Sequence, residues 1–342
     1  MQSDDRQSRL ALNLRVGDIV EVRSKEEILQ TLDENGRLDQ LPFMPEMLKY
    51  CGKQFKVFKR ADKTCDTIEK TGCRRMYNTV HLEHTRCDGQ AHGGCEAGCL
   101  LFWKEAWLKR VQAETKRAVC NFSLSASINP PSSENRPYYC TEADLARATR
   151  KNTTGGSSDV DVFSCQATEL RKATAPLPWW DVRQYVRDVV SGNARLGEFI
   201  FVTLIAIFNE IQRYRRGRTY PFVPAPKLTQ TPTKSLNLNP GEFVQVQSKE
   251  EIIATLDKNN KNRGLWFDVE MIRYCGGRFK VLRRVEKIVD EKTGRMLRLP
   301  NDCIVLEGVT CLARLSRERL FCPRSITPYW REIWLKRSNV TE

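Results

Sequence analysis

Histidine is nearly missing from this 342-residue chain: three copies occur, His81, His84 and His92, all within twelve residues. Imidazole is the commonest general base, so thiol or acid–base chemistry has only these places to find one. Long apolar runs are missing too. The longest, FIFVTLIAIF at Phe199–Phe208, has ten residues, whereas a hydrocarbon layer about 30 Å thick needs roughly 20. No glycine-rich phosphate loop, G-x-S-x-G elbow or H-E-x-x-H pair occurs, and GKQFK at Gly52 lacks phosphate-loop spacing. That argues against P-loop nucleotidases, α/β-hydrolases and zincin proteases. The opening MQSDDRQSRLALNLRVGD has acids where a signal peptide needs bases, and no apolar segment follows. The expected location is cytoplasmic.

Cysteine, by contrast, is plentiful: thirteen copies. In a reducing compartment thiols stay free, so they point to metal, redox chemistry or burial rather than a disulfide framework. The N-x-S/T matches at Asn121 and Asn152 then carry no meaning. Hydrophobic residues make up 40% and charged residues 29%, enough for packed cores. The length suggests two or three domains at about 150 residues each. A net charge of +14 favours acidic partners: an acidic protein, nucleic acid or anionic lipid.

The chain contains itself twice. GDIVEVRSKEEILQTLDENG from Gly17 aligns with GEFVQVQSKEEIIATLDKNN from Gly241, and the offset of 224 holds without a gap to Asp66, with 25 of 50 positions identical. FWKEAWLKR at Phe102 closes the first copy and YWREIWLKR at Tyr329 the second. The organisation expected is a first module over 14–111, a partly helical insert over 112–221, a Pro- and Thr-rich linker over 222–237 and a second module over 238–338. Each module reads as mainly β. DIVEVRS and EFVQVQS alternate at period two, and QFKVFKR and RFKVLRR do so again. Ser24 with Glu27, and Ser248 with Glu251, have capping-box spacing before a short helix. The fold class expected is mainly β with a partly helical insert: two duplicated small β-barrels, SH3-like in strand count.

The densest chemistry lies in CDGQAHGGCEAGC. Cys87, His92, Cys95 and Cys99 stand at gaps of four, two and three residues, and Gly89, Gly93, Gly94 and Gly98 permit tight turns around an ion. Cys65, in KTCD, could replace one of them from a neighbouring strand. His81 and His84 read as surface residues. Zinc suits such a Cys/His mixture, with buried structural thiols or a reactive thiol as the other readings. CDGQAH also resembles the C-D-G-S-H signature of a two-iron cluster family, with one residue inserted and without its upstream C-x-C, so an iron–sulfur cluster is a second cofactor candidate. Cys275, Cys303, Cys311 and Cys322 of the second module read as small hydrophobes, Cys303 and Cys311 in an apolar strand.

The strings YCGKQFKV, RCDGQAHGGCEAGCLLFWKEAWLKR and FCPRSITPYWREIWLKR resemble those of an uncharacterised family of bacterial tandem-module proteins, some encoded near surface-polysaccharide genes. The resemblance spans nearly the whole chain. It implies that Cys65, Cys87, His92, Cys95 and Cys99, with Trp103 and Trp107, belong to the motif, and it supplies no mechanism.

Phe199–Phe208, followed by RYRRGR, reads as a buried helix packing across the modules, or as a membrane-surface helix over 196–218. The tryptophan pairs 103/107 and 330/334, interleaved with bases, read as barrel core or as stacking platforms for nucleotides. Cys140 and Cys165 each precede a helical pattern, where a thiol can be activated, and read mainly as packing residues. The function expected is a non-enzymatic, zinc-stabilised scaffold or adaptor with a basic surface. The alternatives are a cysteine-based redox or metal-dependent enzyme and a nucleic-acid-binding protein.

Overall fold

The structure, a computed structural model, describes residues 11–111, 140–151, 161–223 and 228–338. Asn121, Asn152 and part of the 222–237 linker lie outside them. The protein is mainly β, with several small antiparallel sheets and a few helices.

In the first sheet, alternation in Ile19–Val22 sends Val20 and Val22 into the core. Ser24 then turns the chain into the Lys25–Leu29 helix: Glu27 N–H donates to Ser24 Oγ and Ser24 N–H to the Glu27 carboxylate. The sheet runs Trp103–Lys104, Thr79–Leu82, Gln54–Arg60, Ile19–Val22 and Leu108–Arg110. Its two edge strands are consecutive in the chain, joined by the 3-10 turn Glu105–Trp107. Phe43 stacks edge-on against both Trp103 and Trp107, at 6.3 and 5.1 Å between ring centres.

The second sheet runs Ile304–Leu306, Arg278–Arg284, Phe243–Val246 and Leu335–Arg337. Its register is that of the first, moved by 224: Val20 opposite Phe55 becomes Val244 opposite Phe279. Both long strands break register at one place, between Val57 and Lys59 and between Val281 and Arg283. Phe267 meets Trp330 and Trp334 as Phe43 meets its pair. All four indoles are fully buried, so none can stack a nucleotide. Among the described residues no strand pairing joins the edges of either sheet, so both are open where the sequence suggested closed barrels. In the first sheet, the turn carrying Glu105 and Trp107 lies between the edges instead.

That turn holds a carboxylate out of water. Glu105 accepts the backbone N–H groups of Leu12, Asn13 and Leu14 and pairs with Arg60 at 2.7 Å. Glu332 does the same for Leu236, Asn237 and Leu238, with Arg284 as its partner. Each carboxylate therefore straps the segment entering the sheet to the turn that ends it.

The insert packs on the first sheet through Gln166, whose carboxamide accepts from Phe102 N–H and donates to the Phe102 and Pro42 carbonyls. Lys63 and Asp188, both buried, pair at 2.6 Å and hold the Arg183–Val190 helix. Cys140 and Cys165 are buried at the starts of the helices Glu142–Ala148 and Gln166–Glu169. Burial pushes the Cys165 thiol up to about 12, which makes it a packing residue. The apolar run lies in the helix Leu196–Tyr214, but it is not buried: Val202 and Asn209 face inward while Phe201, Leu204 and Ile207 are more than half exposed. Among the described residues no helix is long and apolar enough to cross a membrane.

Replacing Glu105 by Ala strands three amides and takes from Arg60 one of its two carboxylates, Asp62 remaining, and should cost about 3–5 kcal/mol. Glu332→Ala should cost a similar amount. Urea unfolding of both variants checks this; a loss below about 1 kcal/mol, the worth of an exposed pair, would mean that the straps do not hold the sheets.

Candidate metal centre

The loop between Cys87 and Cys99 is closed by its ends: Cys87 N–H donates to the Cys99 carbonyl at 2.9 Å, and Arg86 bridges Leu100. Inside it, the N–H groups of His92 and Gly94 both donate to the Gly89 carbonyl. Gly89 has φ +73, and a Cβ there would collide with the Cys95 backbone, so only glycine lets the loop fold this tightly. The result turns His92 inward, 1% exposed.

Its imidazole meets two partners. Cys87 Sγ lies 3.6 Å from His92 Nε2, and Glu46 Oε1 lies 3.4 Å from His92 Nδ1 and 3.1 Å from Cys87 Sγ. Glu46 comes from the 3-10 helix Pro45–Tyr50, where it is buried beside Met47. One donor atom from each residue falls within 4.8 Å of the others. A tetrahedral ion with bonds of about 2.0–2.3 Å has ligand atoms about 3.3–3.8 Å apart; the Glu46–Cys87 pair lies near that range, and an ion would take one nitrogen of His92, Nδ1 on the Glu46 side or Nε2 on the Cys87 side. In a linear nucleophile–base–acid relay the carboxylate would stand away from the sulfur; here the three converge. Glu46 Oε2 and His92 Nδ1 are buried without a hydrogen-bond partner, which a cation would supply. Burial lowers the His92 pKa, favouring the neutral imidazole that binds metals. Burial and then the Glu46 charge push the Cys87 thiol far up.

Of the other expected ligands, Cys95 and Cys99 share with Cys87 and His92 a cavity that Glu46 does not line. Cys87, His92, Cys95, Cys99 and Cys165 line one cavity of about 40 Å³. A water needs about 10–15 Å³ of such space, whereas a small-molecule pocket takes several hundred. The cavity therefore admits an ion with a water and excludes a substrate. Cys95 Sγ accepts from Val289 N–H at 3.2 Å, and burial lifts the Cys99 thiol to about 11. Cys65 is elsewhere: its N–H donates to Cys322 Sγ at 3.2 Å, in a cluster with Ala313 and Cys311. The reason is the junction of the two halves, which places the Lys63–Cys65 strand against residues of the second. His84 is exposed. His81, expected at the surface, is fully buried, with Nδ1 at 2.8 Å from the Leu101 carbonyl and its ring against Phe102. The segment 100–102 covers the outer face of its strand, so both faces are core.

The second half offers an internal contrast. Glu270 and Cys311 stand 224 residues beyond Glu46 and Cys87, and Ser316 stands 224 beyond His92. Glu270 Oε1 accepts from Leu315 N–H, Ser316 N–H and the Ser316 hydroxyl at 2.6–3.0 Å. Where a serine replaces the imidazole, hydrogen bonds satisfy the carboxylate. Cys311 lies in a loop rather than in a strand.

Sequence reasoning passed over Glu46, which is 41 residues from Cys87. Its signal was the identity of Glu46 with Glu270 inside the apolar blocks PEMLKY and VEMIRY. The chain matches no protein-family model, no curated protein and no solved structure.

Burial lowers the His81 pKa to about 4, from about 6.5 in an unfolded chain. The unfolded state then takes up the proton first as pH falls. The stability tied to a neutral His81 is complete above about pH 6.5, and about 3 kcal/mol of it is lost by pH 4. Unfolding measured between pH 7 and 5 should be less pH-dependent in His81→Gln than in the parent; equal slopes would place the imidazole in water.

Proposed function

We propose that this protein is a non-enzymatic scaffold or adaptor, stabilised by one metal ion held by Glu46, Cys87 and His92. The observation that carries the reading is the buried convergence of a carboxylate, a thiol and an imidazole with two of their polar atoms unpartnered. Zinc suits a mixed S, N and O donor set, with Cys99 or Cys95 supplying the fourth ligand from the same cavity. The small cavity supports a structural role over a catalytic one, because an open coordination position needs room for substrate. We read the two halves as copies of one small SH3-like unit whose sheet edges meet at a 3-10 turn, and the site as an addition to the first copy alone. The positive charge of the chain supports an acidic protein or other polyanion as the partner, in the cytoplasm.

A second reading rests on the ring of thiols. Cys87, Cys95, Cys99 and Cys165 around one cavity could instead hold an iron–sulfur cluster and move the protein to redox chemistry.

Elemental analysis and a visible spectrum of anaerobically purified protein test both. About one zinc per chain and no colour is expected, lost in Cys87→Ser and His92→Ala and kept in Glu270→Gln. Iron with visible absorbance would favour the second reading, and no metal would make the loop a thiol-rich packing element. Chelation should lower the melting temperature of the parent and leave that of His92→Ala unchanged.

A further inference from the structure

The helix Leu196–Tyr214 has two apolar faces. One is used: Val202 and Asn209 are buried, Phe199 stacks on Phe321 at 5.3 Å, and Asn209 exchanges hydrogen bonds with the Tyr220 backbone. The other is not. Leu196, Ile200, Leu204, Ile207 and Ile211 repeat at intervals of three and four, and all are at least half exposed. Phe201 stands beside that stripe at 63% exposure, and Tyr214 ends it at 92%. Just upstream, Trp179 and Trp180 are exposed at 74% and 67%. A monomer in water rarely leaves so large a patch uncovered.

The charges flanking this face identify what covers it. Between Trp179 and Arg218 the chain carries seven arginines, no lysine and four acids. Every one of the acids is engaged within the protein: Asp181 with Arg75 and Arg183, Asp188 with Lys63, Glu198 with Arg314, and Glu210 with Arg213 and Arg317. Arg195, Arg215, Arg216 and Arg218 are exposed at the two ends of the helix. Two copies of the chain joined through this face would bring like charges together. An anionic lipid surface meets both requirements, taking apolar side chains into its outer layer and arginines at its headgroups. Tyr214, at the end of the stripe, is of the residue type that settles at that boundary.

We propose that Leu196–Tyr214 is an interfacial membrane anchor, lying flat on an anionic bilayer with the Leu204 face inserted and the Arg215–Arg218 cluster at the phosphates. The buried Val202 and Asn209 keep the helix attached to its own protein, so it lies on the membrane and does not span it. The inference stands apart from the metal reading.

The test is flotation of the full chain with vesicles of phosphatidylcholine, with and without phosphatidylglycerol, together with light scattering of the free protein. Binding only to the anionic vesicles, weakening as salt is raised, is expected. Phe201→Glu and Leu204→Glu, both on exposed positions, should abolish it with unchanged circular dichroism. The triple variant Arg215→Gln, Arg216→Gln, Arg218→Gln should weaken it on the order of a hundredfold. Absence of binding by the folded parent, or undiminished binding by Leu204→Glu, would overturn the proposal. So would a dimer that Leu204→Glu splits, which would assign the face to a second copy.

Discussion

A carboxylate removed from water must be matched by donors, and this chain faces that requirement in two pairs of equivalent places. Glu105 and Glu332 are matched by three backbone amides and an arginine each. Glu270 is matched by the amides and hydroxyl around Ser316. Among these four, Glu46 is left with a buried oxygen lacking a partner, facing a thiol and an imidazole. The cost of burying an unmatched charge is several kcal/mol, so this exception, more than the cysteine spacing, marks where a cation could be held. The two loops differ along their length, CDGQAHGGC from Cys87 against CLARLSRER from Cys311, and the position 224 residues beyond His92 is the Ser316 whose hydroxyl reaches Glu270.

The same loop is also the joint between the halves. Glu96 accepts from Glu286 and Lys287 N–H, Arg283 donates to the Glu96 carbonyl, and Lys287 Nζ donates to the Gly93 carbonyl at 3.0 Å. Arg86 reaches the Ser325 carbonyl and the Thr327 hydroxyl from the other side. The shape of the loop and the angle between the halves are therefore set together. Whatever fixes His92 and Cys87 also fixes where the second sheet can sit.

Much of the local structure was legible in the sequence. Ser24 and Glu27 form the capping box that their spacing announces, and the repeat offset reappears in strand register. Both are effects of neighbours in the chain or of matched strings. The failures are through-space effects. Period-two alternation assigns one face of Thr79–Leu82 to solvent, but all four residues are buried, because Leu101 and Phe102 cover His81. Cys65 lies beside Cys322 because the halves meet there, 257 residues apart in sequence. Glu46 meets Cys87 and His92 from another element, 41 residues before Cys87 in the chain, a juxtaposition that no local pattern carries. The apolar run at 199–208 gave its helix correctly and its burial incorrectly, since composition does not say how many faces of a helix find partners.

The contact between Cys95 and Val289 spans 194 residues, and this orders events as the chain leaves the ribosome. The strands of the first sheet all lie between Ile19 and Arg110, so it can assemble while the rest is still being made. The loop carrying Cys87, His92 and Cys95 cannot be completed until Lys287 to Val289 have emerged and docked. Throughout that delay its thiols lack the part of their cover that Val289, Glu291 and Arg324 later supply. The delay is both the period in which oxidants can reach them and the open door through which an ion can enter a chamber that later closes.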